Sequence, residues 1–523
     1  MIGSQRTRRR VLLVGFDCAD VDLVDEWSSS GYMPTCAALR AQGTWRRLET
    51  TSSVTHVSAW PTLYTGTSPG THGISHAYYV RAGEQRIRFA DPMHYGQPPF
   101  WRYLDEVGRK CIVFDPFACY RLEGFKGVQI QEYGTWTWFS DPCSTPSGLL
   151  REIERRFGRY PAPEHTKLVH VPADLNGYRD QLVAGARLKS RIAQALMREH
   201  DWDLAFVSFG EAHAAGHYLW HTGDRDFPVQ PGEGSVGARH LVREIYAAMD
   251  EAIGEMVASV DDDTTVIVMS VDGMGPNYSG SHLIPDLLNK LGLFFSSSVG
   301  RVHGRAYGRA VPHGKSLLRK LRAAIPIEVR QSLTRCLPRR LQYWRELRWL
   351  NSGIDWSRSR VFSIPSSDEA LLRINVSGRE PLGIVDAGAE YEELVLRLQE
   401  EIGRLVNPQN GRQAAARVIS MDAVYPGPRR GDLPDVVAKW DSNARILTEL
   451  DSPSLGRLRG PAGHEVPPFY TGNHRNVAFA VMRGPSVPEN VRMDDGHVRD
   501  VAPTLLDLLG VEPPPHFEGR NWA

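Results

Sequence analysis

The stretch Leu204-Ala-Phe-Val-Ser208-Phe-Gly-Glu211-Ala-His213-Ala-Ala-Gly-His217-Tyr-Leu-Trp220-His221 passes from an apolar run straight into a pair of histidines. Leu204 to Ser208 has the make-up of a strand buried on both faces of a sheet. His213 and His217 are four residues apart, so one helical turn sets both imidazoles on the same face. Two imidazoles so placed can reach one Zn2+ at about 2.0–2.1 Å. A strand that leads into such a pair delivers it to the carboxyl edge of the sheet, where parallel α/β proteins bind their ligands.

The same rhythm extends in both directions. Val11 to Phe16 reads as a buried strand, followed by a helical pattern through Cys36 to Ala41. A helix around Phe100 to Val107 precedes the strand Lys110 to Phe114, and a long helix over Tyr178 to Glu199 precedes Leu204. Another helix, Ala238 to Val260, leads to the strand Thr265 to Met269. Alternation of this kind predicts an α/β fold with a mostly parallel central sheet flanked by helices, forming one domain over residues 1–523. Three of the runs end in polar residues: Asp17, the Glu211 to His217 stretch, and Asp272. An acid directly after a strand can cap the next helix or bind a ligand. Asp17 and Asp272 admit both readings. His474 falls in a turn-like segment, Thr471 to Arg475, ahead of the strand Val477 to Met482.

Bulk composition narrows the partners. Lys plus Arg and Asp plus Glu both number 61, which gives no pointer to nucleic acid or a membrane surface. No apolar run approaches the roughly 18 residues of a membrane span, and Val11 to Phe16 is too short for a signal-peptide core. Six cysteines (Cys18, Cys36, Cys111, Cys119, Cys143, Cys336) are scattered without zinc-ribbon or disulfide-scaffold spacing. A reduced, cytoplasmic setting is expected. Residues 296–350 are dense in arginine with few carboxylates, so they read either as an insertion with a solvated basic face or as a cap lending positive potential to an anionic substrate.

A wider set of motifs supplies a resemblance. Ser58-Ala-Trp60-Pro-Thr62-Leu-Tyr-Thr65-Gly66 and Pro69-Gly70-Thr71-His72-Gly73-Ile74 are similar to segments of the type I phosphodiesterase/nucleotide pyrophosphatase family, within the alkaline phosphatase superfamily. Gly15-Phe16-Asp17, the paired histidines, Ser270 through Met274, Ile374 through Pro381, Leu433 through Val437, Gly472-Asn-His474-Arg475 and Arg499 through Gly510 follow in that family's order. The resemblance spans nearly the whole chain and implies an alkaline-phosphatase-like fold.

It also implies two metal ions close together. Carried over by position, the first is held by His213, His217 and His474, with His213 standing where the family has Asp. The second is held by Asp17, but the family's Asp-His pair reads here as Val271-Asp272. Asp272 then either replaces the missing histidine or, with a one-residue slip, is the family Asp, followed by Gly273. Either way that site lacks a donor. Zn2+ is the expected ion, as one or two divalent cations, with Mn2+ or Mg2+ alternatives at the second site. Counting back from Trp60 without a gap puts His56 at the family's nucleophile position, and a shift of one makes it Thr55. Ser58 is a third option, and also a candidate helix N-cap. His72 matches a family position and reads as a loop-positioning residue, while His221 and Asp224 could orient the paired histidines. The implied activity is metal-dependent hydrolysis of phosphodiester or pyrophosphate-type bonds in an anionic phosphate ester, through a covalent phospho-enzyme. Alternatives are a phospho-transferase, a phosphonate or sulfate ester hydrolase, or a non-catalytic ligand-binding descendant.

Overall fold

Apolar runs flanked by helices fix the central layer. The computed structural model describes residues 9–90, 95–134, 141–163, 172, 174–223, 240–297, 339–446, 448–460, 470–485 and 487–522. In it the strand Arg10–Phe16 lies between Leu204–Phe209 and Thr264–Ser270 and runs parallel to both. Its side chains alternate between two apolar layers. Leu12, Val14 and Phe16 pack against the long helices Leu175–Glu199 and His240–Ala258. Val11 and Leu13 pack on the other face, against Ala59–Thr65, Trp101–Glu106 and Val501–Leu508. A strand buried on both faces has no polar side to show, which is why these runs are continuously apolar.

Register is what positions the site. Phe16 is opposite Phe209 on one side and Ser270 on the other, so three parallel strands end level. Asp17, Glu211 and Asp272 therefore leave the sheet at one edge. Cys111–Phe114 and Val128–Gln131 extend the parallel set beyond Leu204–Phe209. On the opposite side Val477–Arg483 pairs antiparallel with Thr264–Ser270 and with Thr44–Glu49. Asp20, not Asp17, caps the helix Val21–Ser29, its Oδ1 accepting from the backbone N–H of Asp22 and Leu23 at 3.1 and 3.3 Å. Asp17 is thereby left to the site.

Two local expectations change. His474 is not in a turn: Gly472–Arg475 is a strand, antiparallel to Gly273–Pro276, with Met274 opposite His474. The short Thr-Gly-Asn-His-Arg run looks turn-like because glycine and asparagine favour turns, but strand pairing overrides that preference. Ser58 does occupy the N-cap position of Ala59–Thr65, yet its hydroxyl turns instead to Thr51 Oγ1 at 2.8 Å and the Thr55 carbonyl at 2.7 Å. Of the basic stretch 296–350, only residues 296–297 and the helix Arg339–Ser352 are described, so the expected cap lies mainly outside the described residues.

A second sheet of four antiparallel strands, in the order Val361–Ile364, Ala370–Ile374, Val436–Trp440 and Ala415–Ser420, packs against the helix Ala389–Gly403. Its buried charges form a closed network. Arg379 holds both oxygens of Asp435 at 2.6 and 2.8 Å, and fully buried Arg373 holds Glu380 at 2.6 Å. Burial alone would raise the Asp435 carboxyl, but the Arg379 guanidinium brings it down to about 2 from 3.8. Asp435→Asn should cost about 1–3 kcal/mol, because the Arg379 guanidinium keeps Glu380 but loses a buried charged partner. The measurement is the shift in urea midpoint at neutral pH. A depressed carboxyl stabilises above its unfolded value and stops doing so as pH falls, so the gap between variant and wild type should narrow from pH 3.8 towards 2.

Candidate metal and active site

Asp17 is buried and tied on both sides. The Trp60 indole Nε1 donates to its Oδ1 at 2.8 Å, and His213 Nδ1 lies 2.6 Å from its Oδ2. Burial would raise this carboxyl, yet the His213 and Trp60 contacts outweigh it and hold Asp17 below its ordinary value. His213 and His217 both lie on the helix Glu211–Leu219, with their Nε2 atoms 2.7 Å apart. His217 Nδ1 donates to the Gly472 carbonyl at 2.9 Å, which leaves the lone pair on Nε2, facing His213. Burial, then the His213 ring, push His217 well down, so it stays neutral. Asp17 and the His217 lone pair thus both face the His213 ring.

Close backbone approach makes this possible. A Cβ at Gly472 would stand 2.2 Å from the Gly216 carbonyl oxygen, and one at Gly216 would meet the Met274 side chain at 2.5 Å. Only glycine lets the Gly472–Arg475 strand close on the histidine helix. Thr471 completes the seam, its N–H donating to the His217 carbonyl at 2.7 Å, and His221 Nδ1 lies 3.3 Å from the Thr471 hydroxyl. Asp224 lies outside the described residues.

His474 closes the cluster. Its ring centroid is 4.9 Å from that of His213 and 5.1 Å from that of His217. Nδ1 is 2.9 Å from Asp272 Oδ2 and 3.3 Å from Cys18 Sγ. Burial, then the neighbouring rings beginning with His56, push His474 well down. Burial and then Asp17 push Asp272 up to about 7. Val271 packs into the apolar layer under the sheet and offers no donor. Three groups of possible metal ligands have their donor atoms within 4.8 Å of one another: Cys18, His213 and His474; Asp17, Cys18 and Asp272; His56, Asp368 and His474. His217 enters none of these groups and reaches the cluster through His213.

The candidate nucleophiles separate in space. The Thr55 hydroxyl is engaged with Ser58 Oγ at 2.9 Å. His56 instead stacks on His474, with centroids 4.0 Å apart and planes 16° from parallel. Its Nδ1 lies 3.1 Å from Glu369, its Nε2 3.6 Å from Asp368 Oδ2, and Lys439 backs Glu369 at 2.8 Å. Burial would lower His56, but Glu369 and Asp368 raise it to about 9. His72 serves the neighbouring loop. It accepts from the Ile74 N–H at 3.1 Å and meets Thr62 Oγ1 at 3.0 Å, which pins the loop after the Ala59–Thr65 helix.

Several site residues escaped sequence reasoning. Asp368, Glu369 and Lys439 come from the second sheet, and no spacing links them to the histidines. Ser52, within the run of hydroxyls Thr50 to Ser53, donates to Asp272 Oδ2 at 3.0 Å. Cys18 had one available signal, its place directly after Asp17.

Asp272 Oδ1, His474 Nε2 and Asp368 Oδ1 are buried without a hydrogen-bond partner. Buried polar atoms are almost always paired, so unpaired acceptors grouped among imidazoles and carboxylates fit a cation. A family model, type I phosphodiesterase / nucleotide pyrophosphatase, matches residues 11–463. The chain belongs to this family. No curated protein matches it by sequence. As a type I phosphodiesterase-family member it shares its fold with phosphonoacetate hydrolase from Sinorhizobium meliloti 1021, solved with phosphonoformate and with phosphonoacetate. Those two structures are 13% and 14% identical to it, each with a TM-score of 0.52 and covering 96% of each chain. A mutant of the alkaline phosphatase PafA is similar at 12% identity, with a TM-score of 0.51 over 98% of each chain. The fold is therefore alkaline-phosphatase-like, and family and fold together mark a phosphoryl-transfer hydrolase. The family depends on metal, typically zinc, and the donor groups above are of the kind such ions take. Among the described residues no helix is long and apolar enough to cross a membrane.

Proposed function

We propose that this chain is a metal-dependent hydrolase of phosphodiester or pyrophosphate-type bonds. One observation carries the reading: Asp17, Asp272, His213, His217 and His474 converge from four separate segments around buried acceptors with no protein partner. These five residues would hold one or two divalent ions, with zinc suited to the imidazole donors. Bound there, such ions supply the positive charge that polarises the phosphoryl group and neutralises the leaving oxygen.

The remaining groups divide the work. Trp60 and His213 hold Asp17 in place, and Gly472 fixes the His217 tautomer. The two oxygens of Asp272 differ in role: Oδ1 is unpartnered, while Oδ2 accepts from Ser52. Ser52 is the hydroxyl of this loop hydrogen-bonded to a site carboxylate, an arrangement of nucleophile and base within reach. We assign it the attack on phosphorus, with Thr55 and His56 as the competing candidates. His56, clamped between Glu369 and Asp368, carries a proton it can give to the departing oxygen.

The test is hydrolysis of bis-p-nitrophenyl phosphate against the monoester, before and after chelation. Diester hydrolysis should exceed monoester hydrolysis, vanish in chelator and return with Zn2+. Turnover unaffected by chelator would remove the metal reading. Phosphonoacetate itself, offered in a parallel assay, separates that substrate class, since the likeness to phosphonoacetate hydrolase is one of fold.

A further inference from the structure

We infer that Cys18 supplies a thiolate ligand to the metal centre, so that the site combines sulfur with nitrogen and oxygen donors. The inference rests on the metal-centre reading above and concerns a residue that the family resemblance does not carry.

Cys18 follows the strand Arg10–Phe16 and Asp17 in the left-handed region, at φ 62°. That conformation disfavours a side chain other than glycine's, so a cysteine kept there is held against a local cost. The turn points Sγ into the donor cluster, 3.3 Å from His474 Nδ1 and 3.4 Å from Asp17 Oδ1. Two ligands of a tetrahedral zinc, with Zn–S about 2.3 Å and Zn–N or Zn–O about 2.0–2.1 Å, stand about 3.5 Å apart. The Sγ–Asp17 separation matches that edge, and His474 would reach the ion through Nδ1 only by releasing Asp272. Cys18 also belongs to two of the three donor groups, once with His213 and His474 and once with Asp17 and Asp272.

A buried free cysteine is ordinarily a small apolar filler. Cys18 does not have that setting: its polar neighbours are two carboxylates and an imidazole. Independently, Asp272 in the same group is only 2% exposed and has an Oδ1 with no partner, an acceptor that a cation in the cluster would satisfy. Cys36, Cys111, Cys119 and Cys143, the other described cysteines, enter no donor group.

The chemistry balances without a redox step. On binding, a sulfur–metal bond forms, the S–H bond breaks, and the proton leaves to solvent. A soft thiolate shifts preference towards Zn2+, Cd2+ and Co2+ and away from Mg2+ and Mn2+.

The experiment is a Co2+ titration of the metal-stripped full-length chain, followed by absorption, with Cys18→Ser and Cys18→Gly alongside. Glycine suits the positive φ, so Cys18→Gly should fold even if the serine variant does not. Wild type should show both visible cobalt bands and a near-ultraviolet thiolate-to-cobalt band. Both variants should keep the first and lose the second. Cd2+ affinity should fall by at least about tenfold in the variants, the lower bound seen for groups that only support a ligand, while Mn2+ affinity should be nearly unchanged. Visible bands without the thiolate band in wild type, or an unchanged thiolate band in the variants, would exclude Cys18 as a ligand and leave the metal centre standing. Absence of every cobalt band would overturn both.

Discussion

Replacing His474 by alanine should lower kcat/KM for bis-p-nitrophenyl phosphate by about 10^3-fold or more, with loss of bound zinc. His474 is the residue common to two of the donor groups, one on the Cys18–His213 side and one on the His56–Asp368 side. Its Nε2 has no protein partner, and its Nδ1 holds Asp272. Removing the ring therefore takes a donor from the cluster and frees a buried carboxylate from its imidazole partner. Bound metal contributes several kcal/mol to phosphoryl transfer, and each 1.36 kcal/mol is a tenfold rate change. Metal analysis on the same preparation gives an independent readout, and circular dichroism checks that the variant is folded. A variant that folds, keeps full zinc and retains its rate would end the assignment of His474 as a ligand.

The second large effect concerns the attacking group. Ser52→Ala should reduce kcat on the order of 10^3-fold or more, as expected when a covalent nucleophile is lost. Acid quenching of wild type during turnover should trap an acid-stable phosphopeptide containing Ser52, absent from Ser52→Ala. Ser52 is fully buried and donates to Asp272, whereas Thr55 is turned to Ser58 and His56 is held between two carboxylates. An acid-labile adduct at His56, or a stable one at Thr55, would displace Ser52 from this role. His56→Gln should then show its own pattern: kcat lowered by about 10^2-fold or more for poor leaving groups and much less for p-nitrophenolate, because a proton donor matters most when the departing oxygen is basic.

How much of this was legible in the chain depends on the distance over which each feature is encoded. The runs Val11–Phe16, Leu204–Ser208 and Thr265–Met269 announce buried parallel strands, because a strand covered on both faces must be apolar at every position. The spacing of His213 and His217 is likewise local, since one helical turn brings such residues together whatever surrounds them. Even the closing glycines, Gly216 and Gly472, stand beside their histidines in the sequence, although what they make room for does not.

Tertiary structure decided the rest. Whether Asp17 caps a helix or faces the site turned on Asp20 three residues later taking the cap. His474 became a strand residue because Gly273–Pro276 was there to pair with it. The tie of His56 to Asp368 and Glu369 joins positions more than 300 residues apart, through a hairpin of a second sheet that carries no motif of its own. Secondary structure and periodicity follow from neighbours along the chain, so sequence determined the sheet, its edge and the paired imidazoles. The shape and charge of the cluster depend on side chains meeting across separate layers, and only packing of those layers fixes which atoms meet.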